Sequence, residues 1–432
     1  MLFRQFVDED LGCASYLIGD GDTAVVVDPS FQIDQYLAEG VRIERVLETH
    51  THADHVSGHG RFALEHGVPT SIHVLAEAEY PHDPLGDGDE INVGAVTIRV
   101  LHTPGHRPEH CAFVVDDKLV LTGDSLFVGD AARPDLAIAA VEGAHDLFES
   151  LQKIAALGDD VAVYPGHVAG SLCGGNMSPE RSSTVGRERE TNDKLDFRDI
   201  QDFVMVSASV SSPRPPTTER VVGLNRGPWV ALPSEPAETG SAGDGTVLDV
   251  RPFADYAAGH LAGAINVPVD GGSFGTKAAF VLLADEPFVI HARTRDEALQ
   301  ATRKLWAVGL LDAGAYVLGG DVSEQLPTLD AQELRQLLEA KEVQLVDVRE
   351  PGERDGGYIP GSRNIPYRLM RKVGCDGLER DKPVVTICES GARAMIAASV
   401  LAREGFDARP VVNGGVPDFT GEMVDFRRCG GV

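Results

Sequence analysis

Lysine is nearly missing from this chain. It supplies 8 of the 432 residues, against 30 arginines, and the formal net charge is -29. So acidic a surface excludes nucleic acid and anionic membrane as partners, because a phosphate layer needs a basic face. No apolar run approaches the roughly 20 residues that span a bilayer, and no basic leader precedes an apolar stretch. Cysteine is also sparse. The 6 present, Cys13, Cys111, Cys173, Cys375, Cys388 and Cys429, form no CxxC pair and cannot staple a chain of this length. A reducing cytoplasm is expected. The apolar content, 43%, is ordinary and supports globular cores. The length implies two or three domains.

Against that background one run is conspicuous: Thr49-His50-Thr51-His52-Ala53-Asp54-His55. Histidine and aspartate are poor strand residues, and crowding them after the apolar Val46-Leu47 costs solvation unless a cation offsets it. His50, His52 and His55 cannot all point one way on a strand, so a turn through the cluster is required. Further candidates follow, each at the end of an apolar run beside a glycine or proline: His106 after Pro104-Gly105, Asp124 after Gly123, and His167 after Pro165-Gly166. That pattern places ligands on loops at one rim of a rigid sheet scaffold. Imidazole with carboxylate suits zinc or iron(II). The set could hold two metals, or two histidines and one aspartate could hold one iron with positions left open. His110 and Cys173 lie close enough in sequence to be candidates for a substrate pocket. Arg181, Arg187, Arg189 and Asn192 read either as a grip for a carboxylate-bearing substrate or as a solvated helix.

Residues 1 to about 200 alternate short β-rich runs with glycine turns and occasional helices, which implies layered sheets with helices outside. Strands are expected at Tyr16-Leu17-Ile18, 24–27, 41–48, 95–101, 111–115 and 118–122, with a helix over roughly 31–40. The Ser/Pro-rich stretch 209–216 and the soft segment 233–245 read as one linker with little structure between them. Beyond it the chain repeats itself. Val247-Leu248-Asp249-Val250-Arg251 matches Leu345-Val346-Asp347-Val348-Arg349, and the segment 259–268 matches 357–366. Each copy reads strand, helix, strand, helix, the pattern of a mostly parallel sheet covered on both faces.

In the second copy Val384-Val385-Thr386-Ile387 leads into Cys388-Glu389-Ser390-Gly391-Ala392-Arg393. Such a loop aims backbone N–H groups inward and sets the thiol at a helix start. The helix field and Arg393 both favour negative charge on sulfur. A bound sulfur anion would be held by the same donors at Glu389, Ser390, Gly391 and Ala392. In the first copy, His291 is expected at the cysteine position.

Residues 1 to about 200 resemble the metallo-β-lactamase superfamily in the combination of His50-x-His52-x-Asp54-His55, His106, Asp124 and His167. The resemblance implies a four-layered αββα sandwich. In two-metal hydrolases of the glyoxalase II type, His50, His52 and His106 would match one site, Asp54, His55 and His167 the other, and Asp124 would bridge. In persulfide dioxygenases, one iron(II) would be held by His50, His106 and Asp124, with His52, Asp54, His55 and His167 behind them.

The second half resembles tandem rhodanese domains, on Asp347-x-Arg349, Asn364-Ile365-Pro366 and the six-residue loop with its nucleophile Cys388 and Arg393. The implied architecture is a multidomain α/β and α+β chain. It comprises a metallo-β-lactamase-fold domain with linker (1–235), a degenerate rhodanese-like domain (246–321) and an active one (330–432). The whole is similar to the persulfide dioxygenase–rhodanese fusions. That implies one Fe(II) per chain and oxidation of a low-molecular-weight persulfide, such as glutathione persulfide, by O2 to sulfite and thiol. Sulfur transfer between persulfide, sulfite and thiosulfate would follow at Cys388, in a homo-oligomer. The alternative is a dinuclear zinc thioester hydrolase fused to a sulfurtransferase.

Overall fold

A computed structural model describes residues 1–135, 139–168, 177–209 and 213–424. Two compact units divide the chain. The first comprises residues 1–212, 217–233 and 306–309, and the second the remainder.

The first unit is built on two six-stranded sheets. One runs in sequence order: β1 (Leu2–Asp8), β2 (Cys13–Asp20), β3 (Thr23–Val27), β4 (Arg42–Leu47), β5 (Thr70–His73) and β6 (Asp83–Leu85). The other contains β7 (Glu90–Val93), β8 (Val96–His102), β9 (Cys111–Val115), β10 (Leu119–Gly123), β11 (Ala162–Pro165) and β12 (Ser183–Thr184), with β10 and β11 parallel at its centre. A two-residue pairing of Leu126–Phe127 with Asp130–Ala131 follows β10.

Strand periodicity explains the layers. Tyr16, Ile18, Val25 and Val27 meet Val100, Phe113, Val115 and Leu121 between the sheets. Their neighbours point the opposite way, as successive strand residues must. Leu17, Ala24 and Val26 pack on Ile33, Tyr36 and Phe62 outside one sheet. Ala112, Val114 and Val120 pack on Ala144, Leu147, Leu151 and Ile154 of helix Ala140–Ala155 outside the other. That helix spaces its apolar residues at intervals of three and four, so one stripe faces the sheet. Because both faces of each central strand are covered, the strands read as continuous apolar runs.

The second unit holds the repeat as two all-parallel sheets. The first has the order β13–β17–β16–β14–β15, from β13 (Ala237–Glu238), β14 (Thr246–Asp249), β15 (Ile265–Asn266), β16 (Phe288–His291) and β17 (Ala313–Val317). The second has the order β19–β18–β20–β21, from β18 (Gln344–Asp347), β19 (Arg363–Asn364), β20 (Val384–Ile387) and β21 (Ala408–Pro410). The copies agree down to side chains. Arg251 donates to both oxygens of Asp249 and to Gly259 O, and Arg349 does the same with Asp347 and Gly357 O. Asn266 and Asn364 each tie the carbonyls of their own Asp and Arg together.

Two expectations need correction. The stretch read as a structureless connection contains helix Thr218–Arg226, with Val221 and Asn225 buried. Its polar composition hid it because only one narrow face meets the unit. Second, His291 does not stand at the cysteine position. Asp249 pairs with His291, whereas Asp347 pairs with Ile387. Val250 N–H donates to His291 O just as Val348 N–H donates to Ile387 O. His291 therefore matches Ile387, Ala292 matches Cys388, and Glu297 stands where Arg393 stands. No helix among the described residues is long and apolar enough to cross a membrane.

Candidate metal centre and thiol loop

The rim of the first unit collects the ends of β3, β4, β8, β10 and β11 and the start of β2. After Leu47 the chain leaves the sheet in an irregular loop from Glu48 to Ser57, the turn that the crowded ligands require. His50, His106 and Asp124 come together there, with donor atoms within 4.8 Å of one another. His106 Nε2 is 3.5 Å and His50 Nε2 3.9 Å from Asp124 Oδ2. Ligands about 2.1 Å from a common ion are separated by such distances. All three residues are buried, and neither His50 Nε2 nor Asp124 Oδ2 has a hydrogen-bond partner. Leaving such atoms unpaired is costly unless a cation meets them. The donor set fits a metal ion on that ground.

Each ring is locked with its free nitrogen inward. Thr49 Oγ1 donates to Asp28 Oδ2 at 2.8 Å, so it accepts from His50 Nδ1 at 2.9 Å. His106 Nδ1 donates to Arg133 O at 3.2 Å. These outer partners fix the tautomer that a metal needs. Burial, reinforced by neighbouring histidines, holds His50 well below its ordinary pKa, and burial also lowers His106. Both rings are neutral. Burial would raise the Asp124 carboxyl, but His167 and His106 outweigh it and keep it ionised. Gly123 permits the approach. Its φ is +47°, and a Cβ there would lie 2.6 Å from His110 Nε2 and 2.8 Å from Thr49 Oγ1.

The other predicted ligands fall into two further groups. His52 Nε2 turns to Glu48 Oε2 at 3.1 Å and Asp28 Oδ1 at 3.3 Å. Burial opposes charge on this ring, yet the Asp28 and Glu48 carboxylates prevail and raise it well above its ordinary value. Its Nδ1 is buried without a partner. Asp54, His55 and His167 gather around Cys13. His167 bridges the groups, with Nδ1 2.6 Å from Asp124 Oδ1 and Nε2 2.8 Å from Asp54 Oδ2.

His110 lies behind Asp124, with both ring nitrogens engaged. Nε2 accepts from the Asp124 backbone N–H at 2.9 Å, and Nδ1 meets Thr103 O at 2.9 Å. Burial pushes it down to about 3, which keeps it an acceptor. Cys173 lies outside the described residues. The arginines disperse: Arg181 pairs with Glu9, Arg187 with Glu180 and Arg189 with Asp159, all exposed. Asn192 is buried and donates to Phe127 O, Asp130 O and Glu188.

Several site residues escaped the sequence reading. Asp28, Glu48 and Thr49 sit at strand ends, where they read as a helix cap or strand residues. Asn225 lies in the presumed linker. Its Nδ2 donates to His52 O at 3.0 Å and His55 O at 2.7 Å, and its Oδ1 accepts from Ser57 N–H at 2.8 Å. One carboxamide thus clasps the whole ligand loop.

In the second unit, buried Cys388 directly follows β20 and precedes helix Ala392–Arg403. Gly391, with φ +96°, donates its N–H to Cys388 Sγ at 3.1 Å. Arg393 makes a two-pronged ion pair with Glu353, at 2.6 and 2.7 Å. The first copy inverts this chemistry. Glu297 accepts from the Arg293 backbone N–H at 2.5 Å and pairs with the Arg293 guanidinium at 2.7 Å, so the donors of Arg293 serve the loop's own carboxylate.

Comparison with known proteins agrees with this division. Residues 8–167 match the Metallo-beta-lactamase superfamily, and residues 234–324 and 330–422 each match the Rhodanese-like domain. The chain is 30% identical over 235 residues to "Persulfide dioxygenase ETHE1, mitochondrial" of Bos taurus, covering 52% of this chain and 87% of that one. It is 31% identical over 170 residues to a hydroxyacylglutathione hydrolase of Francisella philomiragia, covering 38% of this chain and 66% of the hydrolase. The crystal structure of a metallo-beta-lactamase from Staphylococcus aureus superposes with a TM-score of 0.67 at 28% identity, covering 73% of this chain and 98% of that one. The chain belongs to the persulfide dioxygenase family of the metallo-β-lactamase superfamily, fused to two rhodanese-like domains.

Proposed function

We propose that the protein is an iron(II) persulfide dioxygenase coupled to a sulfurtransferase. The observation that carries this reading is the His50–His106–Asp124 set, with two buried ligand atoms left unpaired, in a chain that also carries a thiol loop suited to sulfane sulfur. The reaction is R-S-SH + O2 + H2O giving R-SH, sulfite and two protons. Iron(II), when bound, supplies the redox chemistry and the meeting point for O2 and persulfide that zinc cannot. The chain's part is to hold two neutral rings and one carboxylate in place. Thr49 and the Arg133 carbonyl fix the tautomers, Asn225 holds the loop, and His110 and His167 hold Asp124. Residues 1–235 carry this step.

Residues 330–432 carry the transfer. Cys388 sulfur takes the outer sulfur of a persulfide and releases the thiol. Sulfite then attacks that sulfur, forms thiosulfate and returns the Cys388 thiolate. The Gly391 N–H faces the sulfur on which charge returns. Residues 246–321 lack a nucleophile at Ala292 and act as a spacer or docking platform.

A second reading is a dinuclear zinc hydrolase of the hydroxyacylglutathione type. One observation favours it: the unpartnered His52 Nδ1, which could join His50 and His106. Metal analysis of anaerobically purified protein, with oxygen uptake on glutathione persulfide, separates the two. One iron and stoichiometric oxygen consumption support the first. Two zinc ions with thioester hydrolysis and no oxygen uptake refute it.

A further inference from the structure

Four arginines are buried among the described residues: Arg61, Arg107, Arg133 and Arg349. A guanidinium carries a fork of N–H donors, and burying them unpaired is costly. Three of the four grip a carboxylate with that fork. Arg61 donates from Nε and Nη2 to the two oxygens of Glu65, and from Nη1 to Phe31 O. Arg133 holds Asp135 through Nε at 2.6 Å and Nη2 at 2.7 Å. Arg349 holds Asp347 in the same way and adds Gly357 O. Arg107 differs. It is 8% exposed, yet only its Nε is engaged, donating to Glu109 Oε1 at 2.7 Å. Among the described residues neither Nη1 nor Nη2 has a partner.

The place of this side chain gives the unpaired edge its meaning. Arg107 directly follows the ligand His106. Its partner reaches the other ligand loop, because the same Glu109 Oε1 accepts the Thr51 N–H at 3.2 Å, between His50 and His52. The guanidinium is thereby fixed beside both loops that supply the rings. Its charge is felt at each: after burial at both, and after the neighbouring histidines at His50, Arg107 adds to what lowers the two ligand rings. A residue needed only to neutralise Glu109 would turn its fork to both oxygens, as the other three do. Here the terminal edge is held off the partner. Two parallel N–H groups on such an edge match two oxygens of one anion.

We infer that Arg107 is the anion-holding residue of the metal centre, its Nη edge receiving a two-oxygen anion of the persulfide reaction. That anion is a carboxylate of the thiol carrier or the sulfite formed from its outer sulfur. The inference rests on the dioxygenase reading and adds to it the residue that selects an anionic substrate or holds an anionic product. Glu109 has a separate task, positioning Thr51 and the guanidinium.

The test uses the full chain, reduced and loaded with iron(II) under anaerobic conditions. Arg107→Gln removes the fork. Arg107→Lys keeps a positive charge beside Glu109 without the fork. The double variant Arg107→Gln/Glu109→Gln leaves no buried carboxylate unpaired. Oxygen uptake is followed with glutathione persulfide, which carries carboxylates, and with cysteamine persulfide, which has none, and sulfite is the added inhibitor. Losing a charge-assisted pair weakens binding by about 10–100-fold. With a carboxylate as the anion, KM for glutathione persulfide rises by that factor, while KM for cysteamine persulfide holds. With sulfite as the anion, the sulfite inhibition constant rises by that factor with either substrate. Lysine should recover only part of the loss in both cases. Iron-loaded variants that keep both KM values and the sulfite constant would overturn the inference. So would loss of iron from all three variants, which would make Arg107 a support for the ligand loops. Calorimetric titration of wild type and Arg107→Gln with glutathione and with sulfite judges the residue without turnover, and equal binding overturns it. Wild type that takes up no iron and consumes no oxygen sinks the dioxygenase reading instead, and the titration then decides for Arg107 alone.

Discussion

Replacing Asn225 with alanine would remove three hydrogen bonds from a loop that supplies the ligands. The Ser57 N–H and the His52 and His55 carbonyls would lose their partner in a buried environment. Each unsatisfied buried group costs about 1–3 kcal/mol. Water entering the vacated space would recover part of that, so a net destabilisation of ~2–4 kcal/mol is expected for the first unit. The loop also positions His50. Loss of outer support around a metal typically lowers affinity by about 10–100-fold. Iron transfer to a chelator, followed under anaerobic conditions, should accelerate by that factor, and the urea midpoint should fall. Asn225→Asp should do no better, because a carboxylate cannot donate to the two carbonyls. Wild-type iron release together with an unchanged urea midpoint would refute the reasoning.

His106→Ala should abolish iron retention and persulfide-dependent oxygen uptake, whereas full uptake with zinc alone would contradict the iron assignment. Cys388→Ser should eliminate thiosulfate:thiol transfer and the one-sulfur mass increase after thiosulfate treatment, with iron content unchanged. Ala292→Cys should not create a second transfer site, because the Glu297 carboxylate takes the Arg293 N–H and puts negative charge where the second copy has Arg393; turnover in Cys388→Ser/Ala292→Cys would show otherwise. Glu286 joins the two repeats through Arg371, at 2.8 Å, and Arg403, at 3.4 Å. Burial raises its carboxyl, but the Thr246 hydroxyl, the Leu283 N–H and Arg371 outweigh that and lower it. A depressed carboxylate stabilises above its unfolded value of about 4.3 and loses that contribution as pH falls through the folded value. Glu286→Gln should therefore lower the unfolding midpoint at neutral pH, and the difference from wild type should close below about pH 4. A constant gap across that window would exclude the linkage.

The sequence by itself determined the chemistry on offer. Ligand-type residues after apolar runs, a thiol before a helix start, and a repeat of Asp-x-Arg and Asn-x-Pro segments are local features, set by strand ends and turns that neighbouring residues define. The apolar runs also announced strands covered on both faces, which made the layers legible. Only the tertiary structure decided which groups meet. Cys13 reaches Asp54 and His167 across 41 and 154 positions, and Asn225 reaches His52 and His55 across 173 and 170. Pattern within a strand carries no information about such pairings. The equivalence of Ala292 with Cys388 was likewise hidden. Phe288-Val289-Ile290 and Val385-Thr386-Ile387 are both short β-forming runs with nothing to mark their alignment, and a slip of one residue turns every side chain to the other face. Hydrogen bonds to Asp249 and Asp347 on the neighbouring strands choose the register, and those strands lie some forty residues away in the chain.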